Sequence, residues 1–535
     1  MTHSEARRGL SRIVTNYARL MVSIAAGIAL IPVLIAWLGD EPLGLFLFVG
    51  AQVGLAGMFQ DVMRHSLVRE VGSAWHAGEK QFASAYNGAF LVCIGIAAIS
   101  TAVYGVLVLV TPLFNIDPSL VGAARWMIAA EGGFTALLVI ASPTLNMYVV
   151  REKFIAHNLW TACMRTSYLA SALIFWLLIP TEDTASGLVR FTVCAVGLNA
   201  LSTLVAILVP MRDARLRPSP RLATRSAARQ VLGTFGWNSG IILAMNLHER
   251  VAQFIMNLAF GLFGNAVFGV ALRLVSYVRM VTLGMTFGLD AVSTRLAADD
   301  DRHGLAIMVR SATRLHACIA LPASIGIFIL AEPILELWLG RALEDPERVI
   351  PPATVLVRIM AAALASRAVA DGWMKVLYGA GHIRRYAPIV LLGGIANPVL
   401  AILLIKILPE TDVPLWRSAI TGTAWALGIT MVAVNVGFMP MKTAQLLGIR
   451  RRETVQPLIP PFLIALACAP IAAAPILWPE RLLRGGAWTI DQLVIVIALD
   501  AAAYLGLAFF FLLTPDERTR ALGFARRTFR LGHGG

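Results

Sequence analysis

Apolar runs of about 20 residues recur along this chain from end to end, each long enough to cross a hydrocarbon layer about 30 Å thick. Nothing else in the sequence constrains the fold as tightly. Of 535 residues, 58% are hydrophobic and 14% are charged. The mean hydropathy is +0.73. A water-soluble chain of this size would carry about 25% charged residues. We expect an all-α polytopic membrane protein with no soluble domain. About fourteen spans are expected, near 12–37, 43–62, 83–110, 119–147, 156–179, 188–210, 233–260, 265–290, 312–338, 352–378, 386–408, 417–438, 457–478 and 489–513.

The formal charge is +14. A basic excess can serve nucleic acid, but here the bases alternate with the spans. Even-numbered connections hold Arg64, Arg69 and Lys80, then Arg151 and Lys153, then six arginines from Arg212 to Arg229. Arg295, Arg302 and Arg310 follow, then Arg384 and Arg385, then Lys442 and Arg450 to Arg452. The tail adds Arg518, Arg520, Arg526, Arg527 and Arg530. Odd-numbered connections hold Asp40, Glu41, Glu182, Asp183, Glu410 and Asp412, with Arg341, Arg348, Arg481 and Arg484 as their only bases. This is the positive-inside pattern, which places both termini in the cytoplasm and leaves no role for nucleic acid. Trp37, Trp338, Trp416, Trp478 and Trp488 fall at the expected outer ends, the interface that amphipathic indoles prefer.

Several chemistries are excluded. The five cysteines, Cys93, Cys163, Cys194, Cys318 and Cys468, lie inside apolar runs with no CxxC, as small buried hydrophobes do. There is no GxxxxGK[ST], no HExxH and no GxSxG at a strand–helix turn, so transport here would run on gradients rather than ATP. Arg7, Arg8 and Arg12 precede an apolar run too long for a signal-peptide core, so it is expected to stay as the first anchor. Outward connections are about a dozen residues at most, which leaves no room for an outer catalytic domain. The longest inward connection, 211–231, is rich in Arg and Pro and reads as a linker between two bundles.

The two bundles look like diverged copies. Gly39-Asp40-Glu41-Pro42-Leu43-Gly44 resembles Gly264-Asn265-Ala266-Val267-Phe268-Gly269, each expected at an outer turn between two helices. The next helix ends in Asp61 and Leu67 in one copy and in Asp290 and Leu296 in the other. The order implies parallel repeats, spans 1–6 and 7–12, of the kind that place a substrate site at their interface. The domains expected are a first lobe at 1–211, a basic linker at 212–232, a second lobe at 233–440, an extra helix pair at 441–514 and a basic cytoplasmic tail at 515–535.

Charged side chains at a helix centre cost about 2.5–3.5 kcal/mol on insertion scales, and they normally face a bundle interior or a wet cavity. Span 1 carries Asn16, Arg19, Ser23 and Gly27 on one helical face. Span 7 carries Asn246, Glu249, Gln253 and Asn257 at the same spacing, with Arg250 beside them. Each stripe is either helix–helix hydrogen bonding or the polar wall of a central cavity. Span 8 adds Arg273 and Arg279, and span 5 adds Arg165. Span 10 adds Arg367, Asp371 and Lys375, four apart and able to pair with one another. Glu131 lies near the midplane of span 4, suited to a proton relay or to pairing with an arginine; span 14 holds Asp500. Arginines keep their protons, so several facing one cavity make it cationic and suited to phosphate or pyrophosphate.

Leu38-Gly39-(x)4-Gly44, then Asp61, Arg64 and Arg69, resembles the Wzx-type polysaccharide flippases of the multidrug/oligosaccharidyl-lipid/polysaccharide exporter superfamily. Gly261 through Arg273-Leu274 resembles that family's seventh and eighth helices. The resemblance implies two six-helix lobes around a central cavity with alternating access, in a bacterial inner membrane. It implies a lipid-linked oligosaccharide on a polyprenyl pyrophosphate, no cofactor, and often H+ or Na+ coupling. It also implies membrane lipids and the glycosyltransferases or polymerase of one glycan pathway as partners of a monomer. On this reading Arg19, Arg64, Arg273 and Arg279 hold the pyrophosphate. Asn16, Asn246, Gln253 and Asn257 face sugar hydroxyls, and Glu131, Glu249 and Asp371 are coupling acids. Fourteen spans also fit the lipid II flippase branch. The alternatives are a drug or metabolite exporter of the same superfamily and, from another class, a membrane glycosyltransferase or polymerase.

The charge pattern predicts a labelling result. In a variant without native cysteines, Asp40→Cys reacts with a membrane-impermeant maleimide from outside the cell. Ser219→Cys reacts only after permeabilisation, and the reverse pattern would refute the orientation.

Overall fold

A computed structural model describes residues 3–56, 63, 67, 70–75, 77–178, 183–233, 236–283, 289–410, 413–483, 487–513, 515 and 517–519. The side chains of 3–14, 52–56, 220, 236–238, 283, 290–291 and 298 lie outside that description. The described residues are nearly all helical and contain no strand. The helices are α1 (His3–Leu38), α2 (Asp40–Ala56), α3 (Glu79–Val110), α4 (Pro118–Val150), α5 (Phe154–Leu178), α6 (Thr184–Leu208), α7 (Arg225–Gly233), α8 (Gly236–Asn246), α9 (Ala252–Leu283) and α10 (Leu289–Ala298). They continue as α11 (Arg302–Leu339), α12 (Pro346–Gly379), α13 (Ile383–Ile407), α14 (Gly422–Val432), α15 (Met439–Leu447), α16 (Arg451–Val455), α17 (Ile459–Leu477), α18 (Pro479–Leu482) and α19 (Ile490–Phe511).

Twelve helices among the described residues are long and apolar enough to cross a membrane. The expected count of fourteen is approximate, and two features account for the difference. The described part of α2 has 17 residues, short of a full span. One of the twelve, Ser239–Thr282, runs for 44 residues, which would be about 66 Å if straight. It is not straight. Gly261 adopts φ +64° within α9, a conformation glycine reaches without a Cβ penalty. The chain reverses there: an ideal Cβ on Gly264 would lie 3.0 Å from the Met256 carbonyl oxygen, and one on Gly269 would lie 3.2 Å from Gln253 Nε2. The turn expected at Gly264-Asn265 therefore sits three residues earlier, and Asn265 is buried inside the returning arm. Gly39, φ +92°, is the counterpart break between α1 and α2.

The chain forms two compact units, each built from separate segments. The first comprises Met1–Arg273, Trp338–Leu356 and Ile383–Thr430; the second comprises Leu274–Leu337, Val357–His382 and Met431–Gly535.

In the first unit, small residues bring backbones together. A Cβ on Gly44 would stand 2.2 Å from the Leu262 carbonyl oxygen, and one on Gly394 would stand 2.6 Å from Ala244 Cα. Close approach of this kind drives helix association where lipid is as apolar as protein. Three rings, Phe48, Phe114 and Phe254, meet at 5.0–5.6 Å between centroids. Beside them Asn257 closes a two-way clamp on the α3–α4 connection. Asn115 N–H donates to its Oδ1 (3.0 Å), and its Nδ2 donates to the Asn115 carbonyl (3.1 Å). Pro32 lacks the N–H that would bond the Ile28 carbonyl, and Trp338 Nε1 takes that oxygen at 2.8 Å.

The expected linker is fastened to α3 and to Glu70 ahead of it. Tyr86 Oη donates to the Leu216 carbonyl (2.8 Å), Ser219 N–H to Asn87 Oδ1 (2.6 Å), and Gln230 Nε2 to Glu70 Oε2 (2.8 Å). The amphipathic α7 lays Ala227 against Gly88, while Arg225 and Arg229 stay exposed. Asp213 accepts from Arg215 Nε and Nη2 (3.1 and 3.0 Å) and pairs with Arg151 (3.5 Å). Both guanidiniums lie on the Trp75 ring, at 5.4 and 4.8 Å. The hydrogen bond from Arg215 holds the Asp213 carboxyl below its usual 3.8.

In the second unit α11 and α12 are joined by Trp373 Nε1 donating to Thr313 Oγ1 (2.6 Å). The extra pair α17 and α19 packs on α11 through Ile464, Cys468 and Tyr504 against Cys318 and Ile325.

Three outcomes are expected. Gly44→Val forces α2 off Leu262 and costs about 1–3 kcal/mol, read as a lower thermal midpoint in detergent. Gly50→Ala, with nothing within 4 Å of a Cβ, leaves the midpoint unchanged. Because the Asp213 pKa is depressed by folding, its contribution is complete at neutral pH and is lost as pH falls through the folded value. Asp213→Asn therefore lowers stability at neutral pH and makes the loss on acidification smaller.

Candidate functional site

On α1 the polar stripe bonds along its own helix. Arg19 Nη2 donates to Asn16 Oδ1 (2.8 Å), and Ser23 Oγ donates to the Arg19 carbonyl (2.8 Å). Asn16 and Arg19 are both half-buried. Arg64, with Asp61 and Arg69, lies outside the described residues.

Glu131 is 8% exposed. It pairs with a hydroxyl: Tyr168 Oη donates to its Oε1 at 2.5 Å. The Tyr168 ring stands 6.2 Å from both Phe46 and Phe191. One turn along α4, the Thr135 and Tyr104 hydroxyls are 3.0 Å apart. The result is a buried carboxylate held by a phenol whose own ring packs against Phe46 and Phe191.

The second stripe does not remain on one face. Residues Leu247–Val251 form a π-turn, which takes up one residue more than an α-turn and rotates the residues beyond it. Asn246 and Glu249 are half-buried, and Asn246 Nδ2 donates back to the Ile242 carbonyl (2.9 Å). Gln253 and Asn257, past the turn, are buried. Gln253 packs against Gly269, and the amide of Asn257 is committed to the backbone of Asn115. π-turns inside α-helices are frequent at functional sites, and this one carries His248, Glu249 and Arg250. Arg273 is half-buried on the returning arm of α9, 12 residues and about 18 Å beyond Gly261.

The second unit holds a charged triad within its spans. Asp371 is 7% exposed and Arg367 is 4% exposed. Arg367 Nε lies 3.0 Å from Asp371 Oδ1, the i,i+4 pair expected from spacing. Arg279 Nε takes the other oxygen, Oδ2, at 3.3 Å. Two guanidiniums thus share one carboxylate. His316 on α11 stands next to this triad. Its Nδ1 is 2.7 Å from the Ala312 carbonyl, and a Cβ on Gly372 would lie 3.1 Å from the same nitrogen. The sequence reading passed over His316 and Tyr168, although an ionisable residue inside an apolar run, the criterion that singled out Glu131, also marks the histidine.

Residues 242–403 match the MatE family. No curated protein matches the chain by sequence. Solved structures do match. The lipid II flippase MurJ in an inward closed conformation superposes with TM-score 0.63 at 12% identity, covering 94% of this chain and 98% of that one. A multidrug resistance MATE family transporter of the MOP superfamily, inward-facing, gives TM-score 0.62 at 16% identity over 81% and 98%. A point mutant of the Vibrio cholerae MATE transporter VcmN gives 0.54 at 16% identity over 83% and 99%. The chain therefore has the multi-pass helical fold of MurJ and the MATE transporters, and its match to the MatE family spans the π-turn, Arg273, Arg279 and the Arg367–Asp371 pair.

Proposed function

We propose that this protein is a secondary transporter that flips a lipid-linked oligosaccharide, carried on a polyprenyl pyrophosphate, across the bacterial inner membrane by alternating access. The observation that carries this reading is the Arg279–Asp371–Arg367 triad. It is a cluster within candidate spans in which two guanidiniums share one carboxylate, in a fold shared with a lipid II flippase. Arginine grips phosphate through two parallel hydrogen bonds and cannot discharge, so guanidinium in a low-dielectric layer favours a pyrophosphate. Arg19, Arg273 and Arg279 are the proposed pyrophosphate ligands, and Arg64 is assigned by resemblance. Asn16, Asn246 and Gln253 face sugar hydroxyls; Asn257 holds the α3–α4 connection. Glu131, Glu249 and Asp371 are the acids through which H+ or Na+ acts. The protein works as a monomer with both termini in the cytoplasm, supplied by the glycosyltransferases of its pathway.

A second reading, export of an organic cation, draws on the Glu131–Tyr168 pair. A carboxylate held by Tyr168, whose ring packs against Phe46 and Phe191, has the chemistry that receives a cation, and the MATE transporters share the fold.

One experiment separates them. In reconstituted vesicles the native protein flips a fluorescent polyprenyl-pyrophosphate sugar, and Arg273→Ala, still folded and inserted, loses at least about 90% of that rate. Normal flipping by Arg273→Ala removes it from the site. Dye export without flipping, lost in Glu131→Gln, supports the second reading.

A further inference from the structure

Two hydroxyls of the first unit are buried without a partner. Ser171 on α5 is 0% exposed and Thr192 on α6 is 2% exposed. Neither oxygen has a hydrogen-bond partner among the described residues. Other buried hydroxyls close onto their own helix, as Ser142 Oγ does on the Leu138 carbonyl (2.8 Å) and Thr430 Oγ1 on the Ala426 carbonyl (2.7 Å). A third polar atom, the Trp37 Nε1 donor on α1, is also buried and unmatched among the described residues. Buried polar atoms in this position are ordinarily satisfied by internal water.

The three groups lie in file. Ser167 Oγ donates to Asn199 Oδ1 at 2.6 Å, which sets the register of α5 against the antiparallel α6. From that bond toward the end of α5 at Leu178, Ser171 is four residues along α5, about 6 Å, and Thr192 is seven residues along α6, about 10 Å. Each step in height is about 5 Å, the span of one bridging water. Between Thr192 and Asn199 the same face of α6 carries Ala195, which puts no bulky side chain in the seam. Trp37 stands at the far end, its ring 6.0 Å from Phe175 and 6.3 Å from Phe191. At the near end the Tyr168 hydroxyl faces the Asn199 amide and donates to Glu131.

We propose that the α5–α6 seam holds a file of internal waters that carries protons between the Trp37 end, expected to face outward, and Glu131. Trp37 only donates, so it anchors the first water. The Thr192 and Ser171 hydroxyls both donate and accept, so each breaks one O–H bond as it forms another. At the last step Tyr168 passes its hydrogen to Glu131 Oε1 while the adjoining water restores the phenol. The carboxylate becomes a neutral acid, and one proton has entered. The path rests on Glu131 as a coupling acid, as proposed above. The titratable groups around the Tyr168–Glu131 pair are Arg165 on α5 and Tyr104 on α3. Of the other helices packed on α4, α6 carries Arg190 and Cys194, and the described part of α2 carries Asp40 and Glu41 in its first turn.

The test reads hydrogen exchange at Glu131 in the full-length protein by infrared spectroscopy. At acidic pH the carboxyl C=O stretch of protonated Glu131, identified by its loss in Glu131→Gln, shifts after transfer to heavy water. Ser171→Ala combined with Thr192→Val slows that shift by about tenfold or more, while Thr192→Ser, which keeps a hydroxyl, exchanges at the native rate. Equal rates in the native protein and the double variant overturn the proposal. Should the double variant fail to fold, Thr192→Val alone decides through its thermal midpoint. In a dry seam, removing an unpaired hydroxyl raises the midpoint; in a wet seam it removes a bond to water and lowers it. A raised midpoint therefore overturns the proposal as well. Transport that ignores a pH gradient counts against Glu131 as the coupling acid alone, and the exchange comparison still decides the path.

Discussion

Hydrocarbon offers no water to a peptide group, so every N–H and C=O at membrane depth must find its partner within the chain. The structure follows from that constraint. Helices satisfy most groups locally, and the exceptions are met one by one from afar. Where Pro32 releases the Ile28 carbonyl, Trp338 supplies a donor. Where the α3–α4 connection leaves helix geometry, the Asn257 amide meets both groups of Asn115. Where the chain reverses at Gly261, glycine removes the steric objection, and Gly44, Gly264 and Gly269 let the returning arm pack closely.

Charge is handled by the same logic with two different solutions. Glu131 receives a neutral donor, Tyr168, whose ring packs against Phe46 and Phe191. Asp371 receives two cations, one from its own helix and one from α9. The first arrangement leaves a carboxylate with spare acceptor capacity, and the second leaves a carboxylate shared by two cations. Sites of opposite preference thus occur in one chain. The proposed flippase rests on the second, and the cation-export reading on the first.

The spans, their approximate limits and the all-helical class were legible in the sequence because apolar length alone decides them. The Arg367–Asp371 pair was legible from spacing. Other features depend on what spacing does not encode. Gly39 and Gly264 head similar six-residue motifs, yet positive φ falls at Gly39 and Gly261. Backbone conformation, not the motif, sets the reversal. The stripe from Asn246 to Asn257 assumed an unbroken α-helix, and the π-turn at Leu247–Val251 splits it into half-buried and buried parts. Segment 211–231 reads as a loose connection from its Arg and Pro content. Its partners, Tyr86, Asn87 and Glu70, lie on other elements at separations of 130 residues or more. Arg279 meeting Asp371 crosses 92 residues, beyond any local pattern.

The bond from Trp338 to Ile28 spans 310 residues. At synthesis rates of about 5–20 residues per second, the ribosome needs roughly 15–60 s to make the indole after the proline-kinked carbonyl exists. During that interval the first anchor sits in the bilayer with one acceptor unfilled. That hydrogen bond is therefore a late event of biogenesis, completed when the ninth expected hydrophobic segment arrives. A chain stalled before that point would hold an immature first helix, and this is the form that membrane quality control would meet.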